Sequence, residues 1–217
     1  MIAAKARLAS IQLGEPKPLQ HGSKEVLSGI YKSATDAPAL VGRLGIQGDG
    51  QGDTINHGGP DKAVCAYFER RYAFWQEEFG QPFPNGSFGE NFTIGDWVEE
   101  DLCIGDVLTV GGAVLQVSQP RQPCFKLGLR NALPTLPVRT QETGYSGFYF
   151  RVLEEGQVCA GDSFAIVERH PLGFTIAEAN QVMYVAKQDA AAIQKLLAVQ
   201  ELAESWRKQL QGRLDKL

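Results

Sequence analysis

The fold class is decided most clearly by the stretch Val107-Leu108-Thr109-Val110-Gly111-Gly112-Ala113-Val114-Leu115-Gln116-Val117. Two runs of β-prone residues are joined here by a glycine pair, which suits the two-residue turn of a tight hairpin. The stretch therefore predicts two adjacent antiparallel strands.

Further short strands are predicted on both sides of this hairpin, separated by Gly, Pro and Asp. They cover residues 8–13, 26–31, 92–94, 148–153 and 164–167. Many short strands in sequence favour a β-barrel. The motif Cys-x-Gly-Asp occurs twice, beginning at Cys103 and at Cys159, and in each case it precedes a predicted strand. We interpret it as one turn used twice, with both cysteines structural.

One helix is predicted to interrupt the strands. Pro60 suits a first helical position, and Val64, Phe68, Trp75 and Phe79 follow at spacings compatible with one apolar face. Cys65 would lie beside that face as a small buried apolar side chain.

The composition changes at Pro171, the last of the 11 prolines, after which only two of the 24 glycines occur. The residues from 175 to 178 match a capping box, and Asp189 can cap a second helix. A third helix carries an apolar stripe at Leu202, Trp206 and Leu210. We therefore expect a barrel domain over residues 1–170 and a small α-helical bundle over residues 171–217, the latter serving packing or interaction.

Composition narrows the function classes. With 217 residues, 43% of them hydrophobic, the chain can bury a sizeable core, and its net charge of -4 argues against binding nucleic acid. The N-terminus has no apolar segment after its first charges, so a cytoplasmic location is expected. None of the four cysteines forms a C-x-x-C pair of the kind that holds zinc or iron–sulfur clusters.

Cys124 has the surroundings of a functional thiol. It lies between Arg121 and Lys126 in a loop that two prolines stiffen. Nearby cations favour the thiolate, which can act as a nucleophile, a redox sensor or a soft metal ligand.

A glycine-rich segment provides a candidate anion site. It runs from Gly48 to Asp53, and His57-Gly58-Gly59-Pro60-Asp61-Lys62 follows it. A helix beginning at Pro60 would offer free N–H groups to an anion, with Lys62 and His57 adding charge. The spacing does not match a mononucleotide loop, and a simple turn before a capped helix is the alternative.

Two further segments carry polar residues with structural alternatives. Glu90 and Asn91 follow Gly89 and precede a short apolar run, where a buried pair bonded to a neighbouring loop is the ordinary structural interpretation. Arg43, near Thr35 and Asp36, fits a solvated loop.

Five motifs together resemble a known family. They are Leu44-Gly45-Ile46-Gln47-Gly48-Asp49, His57-Gly58-Gly59-Pro60-Asp61-Lys62-Ala63-Val64, Phe88-Gly89-Glu90-Asn91-Phe92-Thr93, Ile104-Gly105-Asp106, and Gln119-Pro120-Arg121-Gln122-Pro123-Cys124-Phe125-Lys126-Leu127. In this combination and order they are similar to the MOSC family, the molybdenum-cofactor sulfurase C-terminal domain. The helical tail resembles that of YiiM-type members.

The resemblance implies a mixed β-barrel and the molybdenum cofactor, molybdopterin. In that family the cysteine matching Cys124 is the candidate metal ligand. Members reduce N-hydroxylated compounds such as 6-hydroxylaminopurine, from N–OH to N–H. Electrons would come from a separate flavin reductase or ferredoxin-type protein.

Residue roles follow from the same resemblance. Asp49 and Glu90 are candidates for proton delivery to the substrate. The cofactor phosphate would be bound by the predicted helix start and by residues from several segments, namely Arg43, His57, Gly58, Lys62, Asn91 and Arg121. Two alternatives remain open, a carrier of the cofactor or of a persulfide on Cys124, and an interaction barrel in which Cys124 senses redox state.

Overall fold

Seven strands close into a mixed β-barrel in the computed structural model, which describes residues 5–52 and 58–217. The strands in chain order are β1 (Lys5–Leu13), β2 (Lys17–His21), β3 (Lys24–Ser28), β4 (Ser33–Thr35), β5 (Ala39–Gly42), β6 (Gly45–Ile46), β7 (Val64–Phe68), β8 (Phe92–Ile94), β9 (Val107–Val110), β10 (Ala113–Pro120), β11 (Phe148–Glu154), β12 (Gly156–Val158) and β13 (Ser163–Glu168). Around the barrel the order is β1, β13, β9, β10, β11, β7 and β8, with β8 pairing back onto β1. Only the pair β7 and β8 is parallel among these described strands.

The helices lie between and after the strands. They are α1 (Arg71–Phe79), α2 (Phe125–Asn131), α3 (Leu136–Thr143), α4 (Ile176–Tyr184), α5 (Ala190–Leu197) and α6 (Glu204–Leu214), with a 3-10 turn at Pro60–Lys62. Among the described residues, no helix is both long and apolar enough to cross a membrane.

The central hairpin is confirmed. Strands β9 and β10 are antiparallel, with Ala113 opposite Val110, and Gly111 has a φ of 51° that favours glycine in the turn. Leu108 and Leu115 are fully buried while their neighbours Thr109 and Gln116 are only partly buried. This alternation aims one face of the hairpin at the barrel core.

The prediction of a helix from Pro60 is wrong. Pro60–Lys62 forms only a three-residue 3-10 turn, Val64–Phe68 is strand β7, and the helix begins at Arg71. All five residues of β7 are buried, so the strand is apolar on both faces and shows no alternation. Such a run cannot be distinguished from a buried helix by periodicity. The strand predicted at residues 26–31 lies earlier in the chain, because β3 runs from Lys24 to Ser28.

The repeated Cys-x-Gly-Asp phrase is one turn used twice, as predicted. The backbone N–H of Cys103 donates to Asp106 Oδ2 at 2.7 Å, and that of Cys159 donates to Asp162 Oδ2 at 2.8 Å. In both places the aspartate closes the turn that leads into a strand.

The C-terminal helices form with the predicted caps. Thr175 and Glu178 make a reciprocal capping box, and the Asp189 side chain accepts from the N–H of Ala192. Trp206 and Leu210 of α6 are fully buried in the same apolar cluster as the barrel residues. The helices therefore share a core with the barrel rather than packing only among themselves.

One buried carboxyl group should make stability depend on pH. Glu99 is 1% exposed; its Oε2 lies 2.7 Å from Arg71 Nε, while its Oε1 has no hydrogen-bond partner among the described residues. Burial raises the pKa of Glu99 from 4.5 to about 7, although the Arg71 charge acts in the opposite direction.

Because the folded state holds this proton more tightly, the free energy of unfolding should fall as pH rises from about 4.5 to about 7, by up to about 3 kcal/mol. Glu99→Gln should lack that fall, while its exposed neighbour variant Glu100→Gln should keep it. Urea unfolding at pH 4.5 and pH 8 tests this. Parallel pH dependences in wild type and Glu99→Gln would contradict it.

Candidate functional site

A cavity of about 80 Å³ opens beside the barrel where loops from distant parts of the sequence meet, and it measures about 570 Å³ with its open mouth included. The residues that line it are Ser28, Gly29, Ile30, Lys32, Asp49, Gly50, Gln51, Gly52, Lys62, Cys65, Gly89, Asn91, Arg121, Cys124, Lys126 and Tyr149. They include two thiols and four basic side chains against one carboxylate. The charge of this cavity suits an anion.

Cys124 is placed between the end of β10 and the start of α2. Its backbone is extended, with a φ of -120°, and its carbonyl oxygen accepts from the N–H of Leu127 at 3.0 Å. The thiol is partly exposed and lines the cavity. It is therefore accessible to a ligand there.

Arg121 supplies a buried positive charge behind this thiol. Its side chain is 7% exposed and its Nη1 donates to the carbonyl oxygen of Phe88. Burial alone would lower the pKa of Arg121, but the neighbouring groups Cys65, Tyr149, Cys124 and Glu90 raise it above the usual value. The guanidinium thus stays charged in a site with little water, where its field is strong.

Two lysines extend the basic wall of the cavity. Lys126 is 9% exposed and its Nζ donates to the carbonyl oxygen of Leu27 at 3.2 Å. Lys62 is the last residue of the 3-10 turn and is partly buried. Because this turn has only three residues, the helix N-terminus predicted at Pro60 does not exist. An anion bound here would instead interact with the charged side chain of Lys62.

Asp49 and Asn91 form the polar wall. The Asp49 carboxylate pairs with Lys32, and its Oδ1 accepts from the N–H of Gly14 at 2.9 Å. Its Oδ2 accepts from Asn91 Nδ2, also at 2.9 Å. Asn91 Oδ1 in turn accepts from the N–H of Cys65 at 3.1 Å. These bonds fix both side chains at the cavity edge.

Glu90 does not belong to the cavity lining. Its carboxylate is fully buried and accepts from the N–H groups of Gly86 and Phe88, the hydroxyl of Thr93 and the hydroxyl of Tyr72. The carboxylate thus closes its own loop, which is the structural alternative considered for it.

Two other predicted cofactor-binding residues are also outside the lining, and a third cannot be placed. Arg43 is exposed in the turn between β5 and β6, where its N–H donates to Glu155 Oε1 at 2.8 Å. Gly58 is not among the described residues that line the cavity. His57 lies outside the described residues.

The sequence did not identify every lining residue, and Cys65, Tyr149 and Lys32 are among those that it missed. Cys65 and Tyr149 are opposite each other on β7 and β11, and Lys32 follows β3. Burial is the main cause that raises the pKa of both the Cys65 thiol and the Tyr149 hydroxyl. Cys65 is therefore a protonated thiol in the cavity wall. If β7 had been predicted as a strand, the position of Cys65 in the barrel wall could have been inferred from the sequence.

Two known domain families match this chain. The model of the MOSC domain matches residues 53–165, and the model of the YiiM-like 3-alpha helix domain matches residues 174–217. The protein YflK of Bacillus subtilis is 42% identical over 208 residues, which cover 96% of this chain and 94% of that protein. The crystal structure of YiiM from Geobacillus stearothermophilus aligns with a TM-score of 0.83 at 39% identity, covering 96% of this chain and 99% of the other.

A protein of Gibberella moniliformis that is named a reductase is 39% identical over 150 residues, covering 67% of this chain but only 26% of that protein. Together with the closed mixed barrel, these matches define the class: the chain belongs to the MOSC domain family. Within that class it has the YiiM-like organisation, in which a 3-alpha helix domain follows the barrel.

Proposed function

We propose that this protein is a molybdenum-cofactor-dependent reductase of N-hydroxylated compounds, such as 6-hydroxylaminopurine. In the reaction, N–OH takes up two electrons and two protons and yields N–H and water. The observation that carries the proposal is the partly exposed Cys124 thiol in a small cavity with an excess of positive charge. The reductase name of the Gibberella relative supports the reaction class.

The residues present fit the cofactor in donor chemistry. A pterin dithiolene brings two sulfurs and a phosphate, so the protein needs to supply one soft ligand and several cations. Cys124 would be the soft ligand, and Arg121, Lys62 and Lys126 would be the cations that bind the phosphate. When bound, the metal supplies the two-electron chemistry.

The chain itself would orient the substrate and hold a proton. Asp49 and Lys32 are a hydrogen-bonded acid–base pair at the cavity wall, and Asn91 holds the carboxylate in place. This pair is the proton source we propose for the departing oxygen, in place of Glu90. The electrons would come from a separate flavin reductase or ferredoxin-type protein.

The proposal is tested by metal and pterin content. Protein from a cofactor-competent host should contain both, and Lys62→Ala should weaken cofactor retention roughly 10- to 100-fold, because a charged hydrogen bond contributes about 1.5–3 kcal/mol. Lys208→Ala, in an exposed ion pair of α6, is the control and should match wild type.

Absence of molybdenum and pterin in the wild-type protein would refute the reductase function. Cyanide-labile sulfur on Cys124 in that same preparation would instead support the persulfide-carrier alternative. Equal cofactor retention by Lys62→Ala and wild type would remove Lys62 from the phosphate site.

A further inference from the structure

Helix α6 makes polar contacts with two segments that form the cavity. The first contact is at the turn Pro60–Lys62. Asp61 Oδ2 accepts from the backbone N–H of Glu204, the first residue of α6, at 3.2 Å. Asp61 immediately precedes Lys62, which lines the cavity.

Arg151 of β11 strengthens this first contact. Its Nε lies 2.9 Å from Asp61 Oδ1, and its Nη1 donates to Gln116 Oε1 at 2.7 Å. Its Nη2 reaches both Asp61 and, at 3.4 Å, the carbonyl oxygen of Glu201. The Asp61 and Arg151 side chains are 27% and 25% exposed. One guanidinium therefore joins two strands, the turn and the helical segment.

The second contact is at the segment between Ser118 and Gln122, which leads directly to Cys124. The N–H of Ala203 donates to the Ser118 carbonyl oxygen at 2.9 Å. Gln122 Nε2 donates to Gln209 Oε1 at 2.8 Å, and Ser205 Oγ donates to the side chain of Gln119 at 3.0 Å.

The two segments are also bonded to each other. The Ser118 hydroxyl lies within hydrogen-bond distance of the backbone carbonyl oxygen of Asp61 and, at 3.0 Å, of that of Tyr149, a cavity-lining residue of β11. Its single proton is shared between these two acceptors. The turn Pro60–Lys62 and the segment from Ser118 to Gln122 are therefore bonded to each other within the barrel, and α6 makes hydrogen bonds to both of them.

We propose that α6 acts as a clamp, which sets the position of Cys124 relative to Lys62, and that Asp61 is the positioning residue at its centre. The turn Pro60–Lys62 and the loop that follows Pro120, where β10 ends, have few regular backbone bonds of their own, whereas Ser118 and Gln119 belong to β10 and give α6 a fixed base. Reactive groups must be held within fractions of an ångström by the residues around them. The helical segment would then have a role beyond packing. This role does not depend on which cofactor or substrate the cavity binds.

Buried apolar contacts and polar contacts of α6 can be separated by mutation. Trp206 and Leu210 anchor the helix in the core, whereas Gln209 and Asp61 join it to the cavity segments. If the helix only packs, loss of the polar contacts leaves Cys124 unaffected. If it clamps, their loss loosens the loop at Cys124 while the core stays intact.

The test uses the full chain without added cofactor. The readouts are the rate of Cys124 alkylation by iodoacetamide, measured on its peptide by mass spectrometry, and hydrogen exchange over residues 58–63 and 119–127. Asp61→Ala and Gln209→Ala should change the alkylation rate and speed exchange roughly 2- to 30-fold, in line with couplings of about 0.5–2 kcal/mol. Asp61→Asn, which keeps an oxygen for the Glu204 N–H, should give a smaller effect.

Lys208→Ala on the exposed face of α6 is the matched control and should equal wild type. Gln209→Ala removes only a surface side chain, so the test stays decisive even where Asp61→Ala impairs folding. Wild-type alkylation and exchange in a folded Gln209→Ala protein would overturn the clamp. These readouts need no molybdenum, so their outcome is independent of the reductase test.

Discussion

Cys124→Ser should abolish N-hydroxyl reduction and the retention of molybdenum, while the melting temperature changes by no more than a few degrees. The substitution keeps the size of the side chain but replaces a soft sulfur donor by a hydroxyl that stays protonated at neutral pH. Cys124 is partly exposed, so its replacement removes little buried packing. The measurements are turnover with a reconstituted electron donor, metal content and thermal unfolding.

Cys159→Ser is the matched control for this prediction. Cys159 is also partly exposed, but it lies in the turn that Asp162 closes and is not among the described residues that line the cavity. It should retain wild-type turnover. Cys65→Ser is the more demanding comparison, because Cys65 shares the cavity but is buried, and it should lose stability while activity per folded molecule is kept. Near-normal turnover by Cys124→Ser would disprove the thiolate-ligand mechanism.

The sequence predicts correctly those turns and helix caps that are determined by a few residues next to one another in the chain. The Gly111 turn, the box at Thr175 and the cap at Asp189 each depend on a few neighbouring residues, and each forms as predicted. Strand β7 depends instead on its neighbours in the barrel, which bury both of its faces. The periodicity of five apolar residues in a row does not distinguish that strand from a turn of helix.

The same distinction applies to the candidate site. The local signals around Cys124, such as flanking cations and prolines, identified a segment that does line the cavity, and the five motifs gave Asp49, Asn91 and Lys62 as well. Lys32 was missed because it joins the site through an ion pair with Asp49, and the sequence alone does not show that these two residues are in contact. The local sequence around Glu90 is compatible with a catalytic role and with a structural role. The four hydrogen-bond donors around its carboxylate in the folded chain favour the structural role.

Glu90→Ala should be among the most destabilising single substitutions in the chain. Four donors converge on this carboxylate, including the N–H of Gly86 at 2.6 Å and the N–H of Phe88 at 3.0 Å, and the residue is 0% exposed. Removal of the acceptor leaves buried donors unsatisfied, with a cost of about 3–5 kcal/mol by analogy with broken buried charge pairs. For a chain of this size that corresponds to a fall in melting temperature of roughly 6–20 °C.

Activity separates this structural role from proton delivery. The loop that Glu90 closes carries Gly89 and Asn91 into the cavity wall, and the carbonyl oxygen of Phe88 holds Arg121. Glu90→Gln keeps the size of the side chain but places an amide NH₂ against donors, so it should lose stability while turnover per folded molecule at low temperature is largely kept. Glu77→Gln, exposed on α1, controls for the loss of a surface carboxylate. If Glu90→Gln unfolds at the wild-type temperature but has lost turnover, the carboxylate is a proton donor after all, and its four hydrogen bonds set its reactivity rather than the stability of the loop.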